Sequence, residues 1–134
     1  MTRPVTRGVH HVGLTVSRLE DSAAFFTVLL GWQEVRRDDS YPAIFVSDGT
    51  SMITLWQNRE TPPVAFNKNK NTGLHHIALM VASEADLHNL YEKLLKNNIQ
   101  IEFSPELLRH GPAMHMMCYE PSGIRVEFIW PGTQ

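Results

Sequence analysis

The feature that most constrains how this chain folds is an internal repeat. Residues 8–16 (GVHHVGLTV) match residues 73–81 (GLHHIALMV) at a constant offset of 65. The offset persists into the segment that follows, where Asp21 matches Asp86. A register that holds without a gap across two successive segments predicts a duplicated structural module.

Each copy begins with alternating residues, a pattern typical of a half-buried strand. Ser17 and Ser83 each precede an acidic residue by three positions, and both patterns predict a capping box at the start of a helix. Leucine and aromatic residues then recur at helical spacing until Gly31 in the first copy and Asn97-Asn98 in the second. Three strand candidates follow each helix, at residues 32–36, 43–46 and 52–57 and at residues 99–103, 114–119 and 124–130.

The order βαβββ, present twice, predicts an α+β fold with the helices on one face of an antiparallel sheet. We expect one domain over residues 1–134, with a first module at 6–58 and a second module at 73–132. Residues 59–72 are rich in Asn, Lys and Pro, so we interpret them as the linker.

The composition of the chain limits the classes of partner that it can have. The chain has 134 residues, a formal net charge of −2 and 43% hydrophobic residues. Nothing in this balance favours a nucleic acid or a membrane as a partner. Cys118 is the only cysteine, which excludes an internal disulfide and favours a cytoplasmic location.

Strand parity places three metal-capable side chains on the sheet faces that the helices do not cover. In the first strand of each copy, apolar residues alternate with the positions of His11 and His76. In the last strand, Val126 and Phe128 alternate with Glu127. Two imidazoles and a carboxylate are costly to bury unpaired. The donor set suits iron, manganese, cobalt or zinc.

Each of these residues also has a purely structural interpretation. A lone strand histidine is more often a hydrogen-bonded structural residue than a ligand, and a lone strand glutamate is more often solvated. The duplicated position of His11 and His76 favours the ligand role, because core packing gives no reason to place histidine there twice. From the residues alone, both interpretations stay open.

Three further patterns belong together. They are a His11-x-x-Leu-x-Val strand, a capped helix that ends in Leu-Gly31-Trp, and a Glu120-Pro-Ser-Gly turn shortly before Glu127. Over nearly the whole chain they resemble the vicinal oxygen chelate superfamily, which contains glyoxalase I, extradiol dioxygenases, fosfomycin-resistance proteins and bleomycin-binding proteins. The resemblance implies that the two modules form a curved incomplete barrel around a metal, within one chain or by exchange across a dimer. The resemblance also implies a small-molecule substrate and a homodimer.

The resemblance also implies where the metal ligands lie. The family's ligand positions fall on His11, Thr54, His76 and Glu127. Thr54 is a departure, because glyoxalase I has a glutamate there, so the implied ligands are His11, His76 and Glu127. Fe2+ or Mn2+ is the favoured ion, with Zn2+, Ni2+ and Co2+ as alternatives.

Extradiol dioxygenases and fosfomycin-resistance proteins both use this ligand set, and a dioxygenase-like oxidoreductase is the favoured activity. Met117 stands where those enzymes have a tyrosine, and Gly13 stands where fosfomycin-resistance proteins have a catalytic threonine. A glyoxalase-like lyase or isomerase is the alternative. A non-catalytic small-molecule binding or resistance protein, or a protein with a purely structural metal, are the remaining hypotheses.

The resemblance, together with strand parity, implies the remaining site residues. We expect His115 to act as an acid or base beside the metal, and Thr54 to hydrogen-bond a substrate oxygen or a water on the metal. The side chains expected to contact substrate are Met52, Trp56, Met80, Met117, Tyr119 and Arg125. The alternatives are a packed core cover for the apolar residues and a rim salt bridge for Arg125.

Overall fold

Each copy of the repeat folds as a strand, a helix and three further strands. The computed structural model describes residues 2–133, and the chain divides into two units, Met1–Arg59 and Glu60–Gln134. The first unit contains β1 (Val12–Val16), α1 (Leu19–Ala24), a π-helical turn (Phe25–Leu29), β2 (Gln33–Asp38), β3 (Ala43–Ser47) and β4 (Met52–Gln57). The second contains β5 (Ile77–Met80), α2 (Glu84–Lys96), β6 (Gln100–Leu107), β7 (Met114–Tyr119) and β8 (Arg125–Trp130). The predicted α+β fold of two βαβββ modules is confirmed.

Both units contain one four-stranded sheet with the same strand order. The first sheet runs β1-β4-β3-β2 and the second runs β5-β8-β7-β6. In each, the first and last strands of the module pair in parallel and the other pairs are antiparallel. This pairing brings distant residues into register, with Gly13 opposite Thr54 and Ala78 opposite Glu127.

The helices cover one face of each sheet, and the apolar strand residues face them. α1 contacts β3 and β4, and α2 contacts β6, β7 and β8. Leu14 and Val16 of β1 are buried, whereas His11 and Gly13 on the other parity are exposed. Removal of the apolar side chains from water supplies the main favourable term for this packing. The helix therefore leaves the opposite face of each sheet uncovered.

The first helix continues as a wider turn. After Ala24 the backbone forms the π-helical turn, in which the N–H of Leu30 donates to the carbonyl of Phe25 at 3.2 Å. The wider turn leaves both Phe25 and Phe26 buried. Gly31 ends the helix, as predicted, with a φ of 77° that favours glycine.

The capping box predicted at Ser17 is wrong. The N-cap residue is Arg18, and the N–H of Leu19 donates to Oε1 of Gln57 at 3.2 Å. Nε2 of Gln57 also donates to the carbonyl of Ser17 at 2.9 Å. The start of α1 is therefore held by a side chain from β4, far away in sequence.

The second helix begins and ends where the sequence predicts. The hydroxyl of Ser83 accepts the N–H of Asp86 at 3.0 Å. Asn97 is the C-cap, and Asn98 follows with a φ of 59°. No helix within residues 2–133 is long and apolar enough to cross a bilayer.

The turn before β8 is fixed by a buried carboxylate. Oε1 of Glu120 accepts the N–H of Ser122 at 2.6 Å and that of Ile124 at 2.9 Å. Gly123 completes the turn with a φ of 91°. Because Glu120 satisfies both backbone donors, the chain enters β8 in a defined register, which sets the position of Glu127.

Candidate metal centre

Glu127 lies at the centre of the open face of the second sheet, the face that α2 does not cover. It lies on β8 between its two neighbours in register, Ala78 of β5 and Met117 of β7. His115 lies two residues before Met117 on the same strand and therefore on the same face. Glu127 is only 8% exposed, so its charge requires compensation by polar neighbours.

Two imidazole nitrogens meet the Glu127 carboxylate, one at each oxygen. Nε2 of His76 lies 3.1 Å from Oε1, and Nδ1 of His115 lies 2.7 Å from Oε2. The other nitrogen of His115 lies 4.0 Å from Oε1 of Glu106, and Phe103 packs against its ring at a centroid distance of 4.9 Å. The second unit thus brings together three of the predicted site residues, His76, His115 and Glu127.

One pair of these donors, His76 and Glu127, has the spacing of two ligands of a divalent cation, which is also the spacing of a hydrogen bond. Two ligand atoms bound at about 2.1 Å to one ion, at angles near those of octahedral or tetrahedral sites, lie ~3.0–3.4 Å apart. The 3.1 Å between Nε2 of His76 and Oε1 of Glu127 falls within that range. Across residues 2–133, no three His, Cys, Asp or Glu side chains are arranged as a complete ligand set.

In the first unit, His11 directly precedes β1. Its Nδ1 lies 2.9 Å from Nδ1 of His10, and both residues are exposed. The position that corresponds to Glu127 in this unit is Thr54, which is 2% exposed. Its hydroxyl accepts the indole N–H of Trp56 at 2.9 Å. Thr54 therefore keeps its own O–H to donate to another acceptor.

Gly13 leaves space beside that hydroxyl. A Cβ at this position would lie 3.2 Å from Oγ1 of Thr54 and 3.5 Å from Nε1 of Trp56. Tyr41 packs edge-on against Trp56 at 5.2 Å, and Phe45 lies 5.7 Å from it. The open face of the first sheet is therefore aromatic, with one buried hydroxyl beside a glycine.

The second unit contains a second polar cluster, formed by Glu102, Tyr119 and Arg125. Arg125 binds Glu102 through two parallel hydrogen bonds, Nε to Oε1 and Nη2 to Oε2, both 2.8 Å. Tyr119 donates to Oε1 of the same carboxylate at 2.5 Å. The bonds from Arg125 and Tyr119 lower the pKa of Glu102 to about 2. The guanidinium of Arg125, predicted to contact substrate, is thus held by Glu102.

The predicted apolar substrate contacts differ in their surroundings. Met117 is buried beside Glu127, Met52 is half-buried at the start of β4, and Met80 is 74% exposed. Cys118 has the opposite parity and is buried, and burial raises its pKa to about 12. Its thiol is therefore protonated at neutral pH, in keeping with a core role.

Sequence reasoning missed His75 and Glu102. Nδ1 of His75 lies 2.8 Å from Nδ1 of His76 and 3.3 Å from Nη1 of Arg125. Desolvation, followed by the charge of Arg125 and the ring of His76, lowers the pKa of His75. The duplicated His-His pair was the available signal for His75. Glu102 had no comparable signal, because its contacts depend on an irregular register between β6 and β7.

Comparison with known sequences identifies one family. A family model described as the Glyoxalase/Bleomycin resistance protein/Dioxygenase superfamily matches residues 8–128. No curated protein sequence matches the chain.

Several solved structures share the fold. A glyoxylase/bleomycin resistance protein/dioxygenase domain from Frankia sp. EAN1pec is 26% identical with a TM-score of 0.81, over 94% of this chain and 98% of that one. A candidate glyoxalase from Bacillus halodurans is 29% identical with a TM-score of 0.75, over 92% and 95% of the two chains. Lactoylglutathione lyase from Agrobacterium tumefaciens is 17% identical with a TM-score of 0.73, over 95% and 96%, and this likeness concerns the fold alone.

Proposed function

Because this chain belongs to the Glyoxalase/Bleomycin resistance protein/Dioxygenase superfamily, we propose that it is a divalent-metal-dependent enzyme acting on a small oxygen-chelating substrate. The proposed ligands are His11, His76 and Glu127. The observation that carries the proposal is the nearly buried Glu127 carboxylate, with the His76 imidazole 3.1 Å from its Oε1. Fe2+ or Mn2+ is the favoured ion, since two imidazoles and a carboxylate suit either.

The bound ion would supply Lewis-acid stabilisation of negative charge on two neighbouring substrate oxygens. The protein's own side chains prepare that site. Glu127 supplies compensating negative charge, and His115 holds the carboxylate's other oxygen at 2.7 Å. With its Nδ1 so engaged, His115 has Nε2 left to hold or release a proton. Thr54, fixed by Trp56, donates its hydroxyl proton to a substrate oxygen.

The favoured activity is that of an extradiol-dioxygenase-like oxidoreductase. A glyoxalase-like reaction moves a proton between two carbons and would use a second carboxylate at the position of Thr54. A hydroxyl is a poor base at neutral pH, so Thr54 does not favour that reaction. The apolar and aromatic side chains that accompany the site suit a greasy or aromatic substrate. The 29% identity to a candidate glyoxalase keeps a lyase or isomerase as the second candidate.

Oxygen uptake by the anaerobically purified, Fe2+-supplied protein tests this assignment. With a catechol as substrate, the protein should consume oxygen and open the ring. Glu127→Gln should lower the rate by more than ~100-fold, since mutation of a residue that only hydrogen-bonds to a metal ligand already lowers activity ~10–100-fold. Glu92→Gln, which removes an exposed carboxylate from α2, is the matched control. Turnover of a hemithioacetal instead of catechols would move the assignment to the glyoxalase-like reaction. Tight small-molecule binding without turnover would replace the enzyme with a binding protein.

The homodimer and the cytoplasmic location stay predictions. Neither affects the choice of ligands proposed above. Sedimentation equilibrium of the full chain measures the assembly directly.

A further inference from the structure

The open face of the first sheet, the face that α1 does not cover, contains three aromatic rings in contact. The ring of Tyr41 packs edge-on against Trp56 at a centroid distance of 5.2 Å, and the ring of Phe45 lies 5.7 Å from Trp56. Tyr41 is 37% exposed and the other two residues are half-buried. We call these three rings the aromatic cluster. Part of its surface is accessible to a ligand.

The fold itself does not require aromatic residues at these positions. By the register of the two sheets, Trp56 corresponds to Ile129 and Phe45 corresponds to Met117. Both sheets nevertheless have the same strand order, so aliphatic side chains support it as well. The aromatic cluster therefore belongs to the first module alone and points to a role in binding.

Gly13 places no side chain against the indole of Trp56. A Cβ at residue 13 would lie 3.5 Å from Nε1 and 3.8 Å from Cδ1 of the indole. Any larger side chain at this position would cover part of the ring. With glycine here, a planar group of a ligand can stack against the indole.

Two arginines stack on the other two rings of the aromatic cluster. The guanidinium carbon of Arg59 lies 4.0 Å from the centroid of the Tyr41 ring, and that of Arg36 lies 5.6 Å from the centroid of the Phe45 ring. A guanidinium that stacks through its face keeps its N–H donors, which point outward in its plane. These donors match the two oxygens of a carboxylate.

The two arginines differ in the charges around them. Hydrogen bonds from Ser40, and to a smaller extent the charge of Arg36, lower the pKa of Asp38. Arg36 thus already lies near a carboxylate. Arg59 is exposed and forms no ion pair with a carboxylate of residues 2–133. The charge of Arg59 is therefore the one that an anionic ligand would complement.

We propose that the aromatic cluster and Arg59 bind a small aromatic carboxylic acid, whose ring stacks on Trp56 and whose carboxylate accepts hydrogen bonds from Arg59. Tyr41 contacts both Trp56 and Arg59, so one aromatic ring separates the indole from the guanidinium. The acid group must therefore be attached to the ligand's ring directly or through a short link.

The proposed metal ligands take no part in this binding, so it should occur without metal. The inference also narrows the substrate of the proposed enzyme to an aromatic acid, and in that respect it rests on the proposed function.

NMR titration of the full-length, metal-free wild-type protein with 2-naphthoate tests the site. The indole N–H resonance of Trp56, assigned with Trp56→Phe, should shift on binding. Two analogues separate the contributions of charge and ring: 2-naphthamide keeps the ring without the charge, and decahydro-2-naphthoate keeps the charge without the aromatic ring. Each should bind more weakly than 2-naphthoate, by ~10-fold or more for the amide and ~5-fold or more for the saturated acid. Failure of 2-naphthoate to bind, or equal affinity for either analogue, would overturn the proposal.

Two arginine variants test the assignment of the charge. Arg59→Gln should weaken 2-naphthoate binding by ~10-fold or more and leave 2-naphthamide binding unchanged. Arg36→Gln is the matched control, because it removes a stacked arginine that already lies near Asp38. This control should change the affinity by less than ~2-fold. Equal losses in both variants would indicate attraction by positive charge in general and would overturn the role of Arg59.

Metal binding, measured on the same protein, separates this inference from the proposed function. A protein that binds 2-naphthoate through Trp56 and Arg59 but binds no Mn2+ or Co2+ would uphold the aromatic-acid site and reject the proposed function. A protein that binds metal and opens the ring of catechol, but does not bind 2-naphthoate, would do the reverse.

Discussion

At the scale of single residues, the open face of the second sheet depends on two carboxylates with different partners. Glu127 is met by two imidazoles, whereas Glu102 is met by a guanidinium and a phenol. A carboxylate paired with a guanidinium, which stays charged, has a structural role. A carboxylate paired with imidazoles can instead bind a metal ion together with them, because each imidazole can lose a proton and offer a lone pair.

The Glu102 cluster makes stability depend on pH in a specific window. The pKa of Glu102 in the folded state is about 2, below the usual value of 4.5 for a glutamate. A depressed pKa means that the contribution is present above the unfolded pKa and is lost as the pH falls through about 2. Glu102→Gln should therefore be less stable than the wild type by about 1–3 kcal/mol at pH 6, a value discounted for partial exposure. The difference should shrink between pH 5 and pH 2.

Denaturant unfolding at a series of pH values measures that difference. Glu92→Gln, on the exposed side of α2, is the control for a change of charge alone. A wild-type advantage that is constant down to pH 2 would contradict the role given to Glu102.

At the scale of elements, the sequence predicted the strand faces and the start of α2 correctly, but not the start of α1. The alternation of apolar residues placed His115, Met117 and Glu127 on one face, and the register between β7 and β8 bears this out. The cap of α1 comes from Gln57, 38 residues after Leu19, so no local pattern could indicate it. The π-helical turn similarly depends on the simultaneous burial of two phenylalanines, which is a tertiary constraint.

The two helix starts should respond differently to the same substitution. Ser83→Ala removes an N-cap hydroxyl that accepts the N–H of Asp86, and should cost about 1 kcal/mol of unfolding free energy. Ser17→Ala should change the free energy of unfolding little, since Gln57 donates to the backbone carbonyl of Ser17 and not to its hydroxyl. Gln57→Ala should destabilise the protein more than Ser17→Ala does. Urea denaturation compares the three variants, and equal effects of the two serine substitutions would contradict the assigned caps.

At the scale of the whole molecule, one fold carries two differently specialised faces. In the first unit a single row across the sheet contains Gly13, Thr54, Phe45 and Arg36. The equivalent row of the second unit contains Ala78, Glu127, Met117 and Phe103. The repeat made the fold predictable, because both copies encode the same elements. The site was less predictable, since the two rows differ in sequence and the contacts of Arg125 with His75 and Glu102 depend on the irregular register between β6 and β7.

Metal binding should stabilise the whole chain and require a histidine from each unit. At a free metal concentration of 100 times Kd, binding to the folded state alone contributes ~2.7 kcal/mol. The melting temperature should therefore rise with added Mn2+ or Co2+ and fall after chelation. His11→Ala and His76→Ala should each remove most of this rise, whereas the exposed His110→Ala should keep it. A full rise in His11→Ala would exclude His11 from the ligand set.

The metal content of the protein as purified tests the central proposal most directly. Elemental analysis should follow anaerobic purification without chelator, for the wild type beside His76→Ala, Glu127→Gln and Glu92→Gln. We expect near-stoichiometric iron or manganese in the wild type and in Glu92→Gln, and almost none in the other two variants. A wild-type protein without metal, or one whose metal content survives the loss of His76 and of Glu127, would contradict the proposed metal centre.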